Sequence, residues 1–206
     1  MDGPGISRPY ALQFRGSRFA RLALRLAGWT LKFEGLPARQ GVIIAYPHTS
    51  NWDTVALLFG KVAAGVPMVF LSKASLFRIP LFGRYLRWMG GVPVERGAPG
   101  GVTGQMVAAM TAARACGDYY WLTLTPEGTR ARTEGLRSGF YRIALEAGVP
   151  LGLVRLDYGR REIHIVDFMN VTGDRDADMA HIAGVLEGAV ARHPAQSSPL
   201  RLLDGK

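Results

Sequence analysis

Residues 43–58 read IIAYPHTSNWDTVALL. The first part is apolar, with β-branched Ile43 and Ile44, and it stops at Pro47. Widened by two residues, GVIIAYP (41–47) is uncharged and bounded by glycine and proline, the pattern of a buried strand. From residue 51 to 64 the apolar residues change to helical spacing. Ser50 precedes that helix and Asp53 follows three residues later, which is the capping-box pattern. A strand, a tight turn and a capped helix make one β–α unit. Two readings of His48 and Asp53 remain open at this point. Asp53 is a helix cap and His48 a loop residue, or the two form a hydrogen-bonded pair. Five positions along one helix would rotate the side chains apart by ~140°. Across a turn the chain can fold back, and the carboxylate can then hold one imidazole nitrogen while the other serves as a base.

The β–α pattern repeats outward from this unit. Strands are expected at 29–35, 67–73, 92–96 and 119–125. Helices are expected at 79–91, 101–117, 139–148 and 174–192, the last capped by Asp174 or Thr172. VPLGLVRLDYG and EIHIVDF flank Gly159-Arg160-Arg161 and pair as a hairpin. Strands alternating with helices imply an α/β fold: a single domain with a largely parallel sheet flanked by helices. Ligands of such sheets bind beyond the carboxyl ends of the strands. PHTSNWD and TPEGTR both fall there. The tail from 193 to 206 is expected to be loose.

Charge is unevenly placed. Of the net +9, residues 1–40 carry +5, from seven basic and two acidic side chains. Residues 12–27 read as a helix with Arg15, Arg18, Arg21 and Arg25 on one side and Phe19, Ala20, Ala23, Leu26 and Ala27 on another. A basic amphipathic helix of this kind fits an anionic membrane surface. The chain therefore divides into a membrane-associating segment (1–35), a main domain (36–192) and a tail (193–206). The arginines interrupt any secretory signal, and no apolar run is long enough to span a bilayer. The expected location is peripheral, on the cytoplasmic face of the cell membrane. The one cysteine, Cys116, permits no internal disulfide and reads as a small core residue.

Two further segments carry functional residue types. In LTPEGTR (124–130) a strand delivers Glu127, Gly128, Thr129 and Arg130 to one edge. Gly128 admits close backbone approach to a ligand, and Arg130 suits phosphate or carboxylate. The plain alternative is a tight turn with an exposed Glu–Arg pair. In GGVPVERG (90–97), Arg96 stands just past a short strand, either as an anion ligand or as a surface arginine. No GxSxG elbow, GxGxxG or GxxxxGK[ST] occurs, so hydrolase-elbow, Rossmann and P-loop readings are excluded. A base without an enzyme nucleophile points to direct attack by a substrate hydroxyl.

Together these segments resemble the 1-acylglycerol-3-phosphate acyltransferase family, the lysophospholipid acyltransferases. The matching blocks run in order. HxxxxD is His48–Asp53, and a glycine-led block ending in arginine is Gly91–Arg96, downstream of a stretch containing Lys73. PEG[ST]R is Pro126–Arg130, and an apolar proline strand lies around Pro150. Pro47 stands where the family often has asparagine, and Arg137-Ser138-Gly139 replaces a frequent Lys-x-Gly. The resemblance implies acyl transfer from acyl-CoA or acyl carrier protein to a lysophospholipid hydroxyl, in membrane phospholipid biosynthesis. It implies His48 as general base and Asp53 as its orienting partner. It also implies backbone oxyanion donors near Gly128, and Arg96, Arg130 and Lys73 holding acceptor phosphate beside Thr129. Glu127 binds the acceptor's glycerol part or steadies Arg130. No cofactor, metal or nucleic acid is expected. Two alternatives stay open: a same-fold enzyme acting on a lyso-aminolipid, glycolipid or other alcohol, and a non-catalytic basic module binding membranes or nucleic acid.

Overall fold

The computed structural model describes residues 5–94 and 100–203. Seven strands form one sheet: β1 (Thr30–Lys32), β2 (Gln40–Tyr46), β3 (Met68–Lys73), β4 (Gly91–Val94), β5 (Tyr120–Leu124), β6 (Leu151–Asp157) and β7 (Glu162–Met169). Their spatial order is β1-β7-β6-β2-β5-β3-β4, and every neighbouring pair is parallel except β6 and β7. The expected α/β fold is what the chain adopts. β2 lies inside the sheet and all seven of its residues are buried. Its lack of charge follows from that, because an inner parallel strand is covered on both faces.

Six helices flank the sheet: α1 (Arg18–Leu26), α2 (Asn51–Ala64), α3 (Phe82–Trp88), α4 (Gly101–Cys116), α5 (Gly139–Ala147) and α6 (Arg175–Leu186). Alternate side chains of β2 divide between two cores. Ile43 and Ala45 pack with Trp121, Phe168 and the inner faces of α1 and α2. Val42 and Ile44 pack with Leu122 of β5 and with Met110, Phe140 and Ile182, from α4, α5 and α6. Thus β2 leads into α2 on one face, and β5 leads toward α5 on the other. In parallel sheets a crevice opens where consecutive connections diverge in this way.

Five expectations are corrected. The helix expected over 12–27 begins at Arg18, because the Ser17 hydroxyl accepts the Ala20 N–H and caps it. It packs on α2 through Ala20 and Leu24, while Phe19 and Leu26, grouped with Ala20 above, are 86% and 81% exposed. The helix expected over 79–91 is shortened to α3, Phe82–Trp88, and a 3-10 turn, Ala74–Arg78, precedes it. Pro80 and a positive φ of 62° at Leu81 separate the two. Cys116 is exposed at the end of α4 rather than buried. The described part of the tail, 193–203, is packed: Ser198 is buried, and Leu202 forms a β-bridge with Leu136. The helix expected to reach 192 stops at Leu186, two residues before Gly188 at φ 78°.

Candidate active site

The loops leaving β2 and β5 meet at the carboxyl edge, since these strands pair directly, with Ile44 opposite Leu124. The first loop is shaped by the start of α2. Ser50 Oγ accepts the Trp52 N–H at 3.3 Å, and Asp53 Oδ2 accepts the N–H groups of Ser50 at 2.8 Å and Thr49 at 2.7 Å. The capping box therefore forms, and it curls the loop so that His48 lies over Asp53. His48 Nδ1 stands 3.2 Å from Asp53 Oδ2. The distance is that of a hydrogen bond, but the ring nitrogen is out of line with the oxygen, so the contact is a close polar approach. Catalytic hydrogen bonds commonly tighten in this way only when substrate binds. The cap and the pair are one arrangement.

Asp53 is fully buried. Burial raises its pKa, but the contacts from His48, Tyr158, Ser50 and Thr49 outweigh it and hold the carboxyl below the usual aspartate range. Tyr158 is a residue that sequence reasoning missed. It follows β6, and its hydroxyl donates to Asp53 Oδ1 at 2.7 Å. Its own pKa is pushed up to about 12, by burial first and by the Asp53 contact next. The phenol therefore stays a donor. The Arg192 guanidinium lies over the rings of both Tyr158 and Trp52. No local signal marks Tyr158, because it lies 105 residues beyond Asp53.

Glu127 is the second surprise. It too is fully buried. One carboxylate oxygen accepts the His48 backbone N–H at 2.5 Å and the other accepts the Ser198 N–H at 3.0 Å. Burial raises its pKa against the opposing effect of these bonds. The expected roles, touching acceptor glycerol or steadying Arg130, are therefore replaced: Glu127 clamps the histidine loop to the tail. Arg130 turns outward and donates to Asn51 Oδ1 at 2.5 Å. Thr129 Oγ1 accepts the Ala131 N–H at 3.3 Å. The Gly128 N–H, expected near an oxyanion, donates to Thr125 O within the turn at 3.0 Å. Gly128 is still required there. Its φ is +67°, and a Cβ would come 2.5 Å from Arg137 Nε.

A cavity of about 900 Å³ opens at this edge. His48, Lys73, Gly128 and Arg137 all line it. Thr129, Arg130 and Glu127 do not. Arg96 lies outside the described residues. Lys73 and Arg137 are also solvent-exposed, which places them at the mouth. Deeper walls come from Leu57 and Leu58 of α2, Met68 of β3, Leu86 of α3 and Phe140 and Ile143 of α5. One cation is set among them. Lys61 Nζ donates to the Met89 carbonyl, and burial lowers its pKa. The volume is at the upper end of the roughly 300–1,000 Å³ usual for ligand pockets.

The fold has a counterpart among solved structures. The 1-acyl-sn-glycerophosphate (LPA) acyltransferase, PlsC, from Thermotoga maritima aligns with a TM-score of 0.54, covering 82% of this chain and 74% of that one. Identity is 20%, so the likeness is one of fold. The family model described as Acyltransferase matches residues 30–154, a span from β1 into β6 that holds both motif loops. This chain belongs to the Acyltransferase family and is an acyltransferase. No curated protein matches it in sequence.

Proposed function

We propose that this acyltransferase moves a fatty acyl group from an acyl thioester, acyl-CoA or acyl carrier protein, to the hydroxyl of a lysophospholipid such as 1-acylglycerol-3-phosphate. The observation that carries this reading is the position of His48. It stands against buried Asp53 in the wall of a cavity that is apolar within and cationic at its mouth. An acyl chain suits the interior, and the acceptor's phosphate suits Lys73 and Arg137, with Arg96 and Arg130 as further candidates.

With Nδ1 held toward Asp53, Nε2 of His48 takes the proton of the acceptor hydroxyl. The oxygen attacks the thioester carbonyl carbon. The tetrahedral intermediate then collapses, the C–S bond breaks, and the departing thiolate takes the proton back from His48. General-base assistance of this kind is worth roughly 10²–10⁴ in rate. Asp53 stabilises the imidazolium formed between the two steps. Ser50 is not a competing nucleophile, because its hydroxyl caps α2. Cys116 lies at the end of α4, away from the carboxyl edge. The PlsC likeness supports a lysophosphatidate acceptor. The reaction is placed at a membrane surface, on the cytoplasmic side. α1 supports the membrane surface, since it exposes Phe19, Leu22 and Leu26 beside Arg18, Arg21 and Arg25. No helix among the described residues is long and apolar enough to cross a bilayer.

The test is a thiol-release assay with palmitoyl-CoA and a panel of lysolipids, with products identified by mass. Release with lysophosphatidate ahead of neutral lysolipids is expected. Release only with neutral or amino acceptors would overturn the assignment of the acceptor.

A further inference from the structure

The segment between β3 and β4 has an outer face that the reaction above does not use. The 3-10 turn Ala74–Arg78 and α3 form a short hairpin beside edge strand β4. Ile79, Leu81, Phe82, Tyr85 and Trp88 are all exposed on it, Leu81 at 77% and Trp88 at 78%. Phe82, Tyr85 and Trp88 form a continuous aromatic row, with successive ring centroids 6.5 and 6.1 Å apart. Leu81 is held at a φ of 62°, a conformation that a bulky residue rarely adopts, and it projects into solvent at the tip. Such an apolar patch on a soluble face marks an interaction surface.

Two observations identify the occupant. The first is charge. From Thr54 to Val94 the chain has no aspartate or glutamate, and it carries Lys61, Lys73, Arg78, Arg84 and Arg87. The three arginines are exposed among the apolar residues of the hairpin. Aromatic and aliphatic side chains interleaved with arginine, without carboxylates, complement the interface of an anionic bilayer. The second is continuity with the cavity. The same hairpin supplies Tyr85, Leu86 and Met89 to the cavity wall. α3 therefore bounds the acyl site with Leu86 and offers apolar surface to the outside with Phe82 and Trp88, while Tyr85 touches both.

We propose that the 74–88 hairpin dips into the surface of an anionic membrane and forms the doorway through which lipid chains pass between bilayer and cavity. This contact is separate from α1, which packs on α2. As a doorway it rests on the acyl-transfer reading above. As a membrane contact it stands alone.

The experiment uses the full chain with vesicles of phosphatidylglycerol and phosphatidylcholine, or of phosphatidylcholine alone. In wild type, brominated acyl chains should quench a tryptophan signal that disappears in Trp88→Phe. Leu81→Ser/Trp88→Ser should sediment with anionic vesicles at least ~10-fold more weakly, in line with the loss of two interfacial anchors. Its thiol release with a short-chain, monomeric lysophosphatidate should stay within about twofold of wild type, as neither residue lines the cavity. Lack of Trp88 quenching together with unchanged sedimentation would overturn the proposal. Self-association that is lost in the double variant, with vesicle binding intact, would also overturn it by assigning the face to a second copy. Trp88-dependent vesicle binding without thiol release on any acceptor would uphold the membrane contact and refute the acyl-transfer reading instead.

Discussion

Asp53 shows how one residue meets two demands. Its Oδ2 caps α2 and faces His48, while Oδ1 is held by Tyr158. Tyr158→Phe should leave Oδ1 buried without a donor and lower kcat roughly tenfold, about the cost of one unsatisfied buried group. It also removes a contact that depresses the Asp53 pKa. The limb of the pH–rate profile on which Asp53 protonates should therefore move to higher pH. A Phe variant with an unmoved acid limb would reduce Tyr158 to packing. Glu127 has the opposite sign. Its folded-state pKa is raised, so its contribution to stability is full below the unfolded value and falls as pH rises through the folded one. Denaturant melts of wild type and Glu127→Gln should show wild type's advantage shrinking as pH rises through that window. At any pH the amide cannot accept at both atoms, and a penalty of about 1–3 kcal/mol is expected. The positions of His48 and Asp53 were legible because the capping box and the HxxxxD spacing coincide in one local stretch. Those of Tyr158 and Glu127 were not, because their partners lie 105 and 79 residues away.

At the scale of elements, reading worked where a single local cause sets the boundary. α2 runs from the Ser50 cap to Gly65 at φ 74°, and both ends are visible in the sequence. α1 and α3 are shorter than periodicity suggests, because the Ser17 cap starts one and the break at Pro80 and Leu81 starts the other. Periodicity groups Phe19 and Leu26 with Ala20 on one apolar side, yet packing took Ala20 together with Leu24 and left the two large residues outside. The reason is close approach. Arg21 Nε donates to Ala63 O at 2.8 Å, Ser17 N donates to Val62 O at 3.0 Å, and a Cβ on Gly16 would stand 1.9 Å from Ala63 O. Small residues lie at that seam and large ones are left outside. Gly16→Ala should push α1 off α2 and lower thermal stability by roughly 1–3 kcal/mol, the usual cost of overpacking. An unchanged melting temperature would show that the two helices are not closely docked.

For the whole molecule, the alternation of strands and helices was enough to predict the parallel sheet and the edge where the two motif loops meet. It did not show that the tail belongs to that edge. Ser198 donates to Glu127, and its carbonyl accepts the Tyr46 hydroxyl at 2.8 Å, so residues near the end of the chain help to fix the histidine loop. Polar tail composition carries no trace of this, since the contacts use backbone groups. The +9 net charge was legible as a sign and not as a location. Among the described residues, Lys73 and Arg137 stand at the cavity mouth, Lys61 within it, and Arg18, Arg25, Arg78 and Arg84 on outer surfaces that also expose apolar side chains. All of this converges on one proton transfer. The most direct measurement is thiol release from palmitoyl-CoA in the presence of lysophosphatidate, for wild type and His48→Ala side by side, with folding checked by circular dichroism. The account predicts a folded variant with less than about 1% of wild-type turnover, in keeping with loss of the general base. A folded His48→Ala that retains near-wild-type release would contradict it.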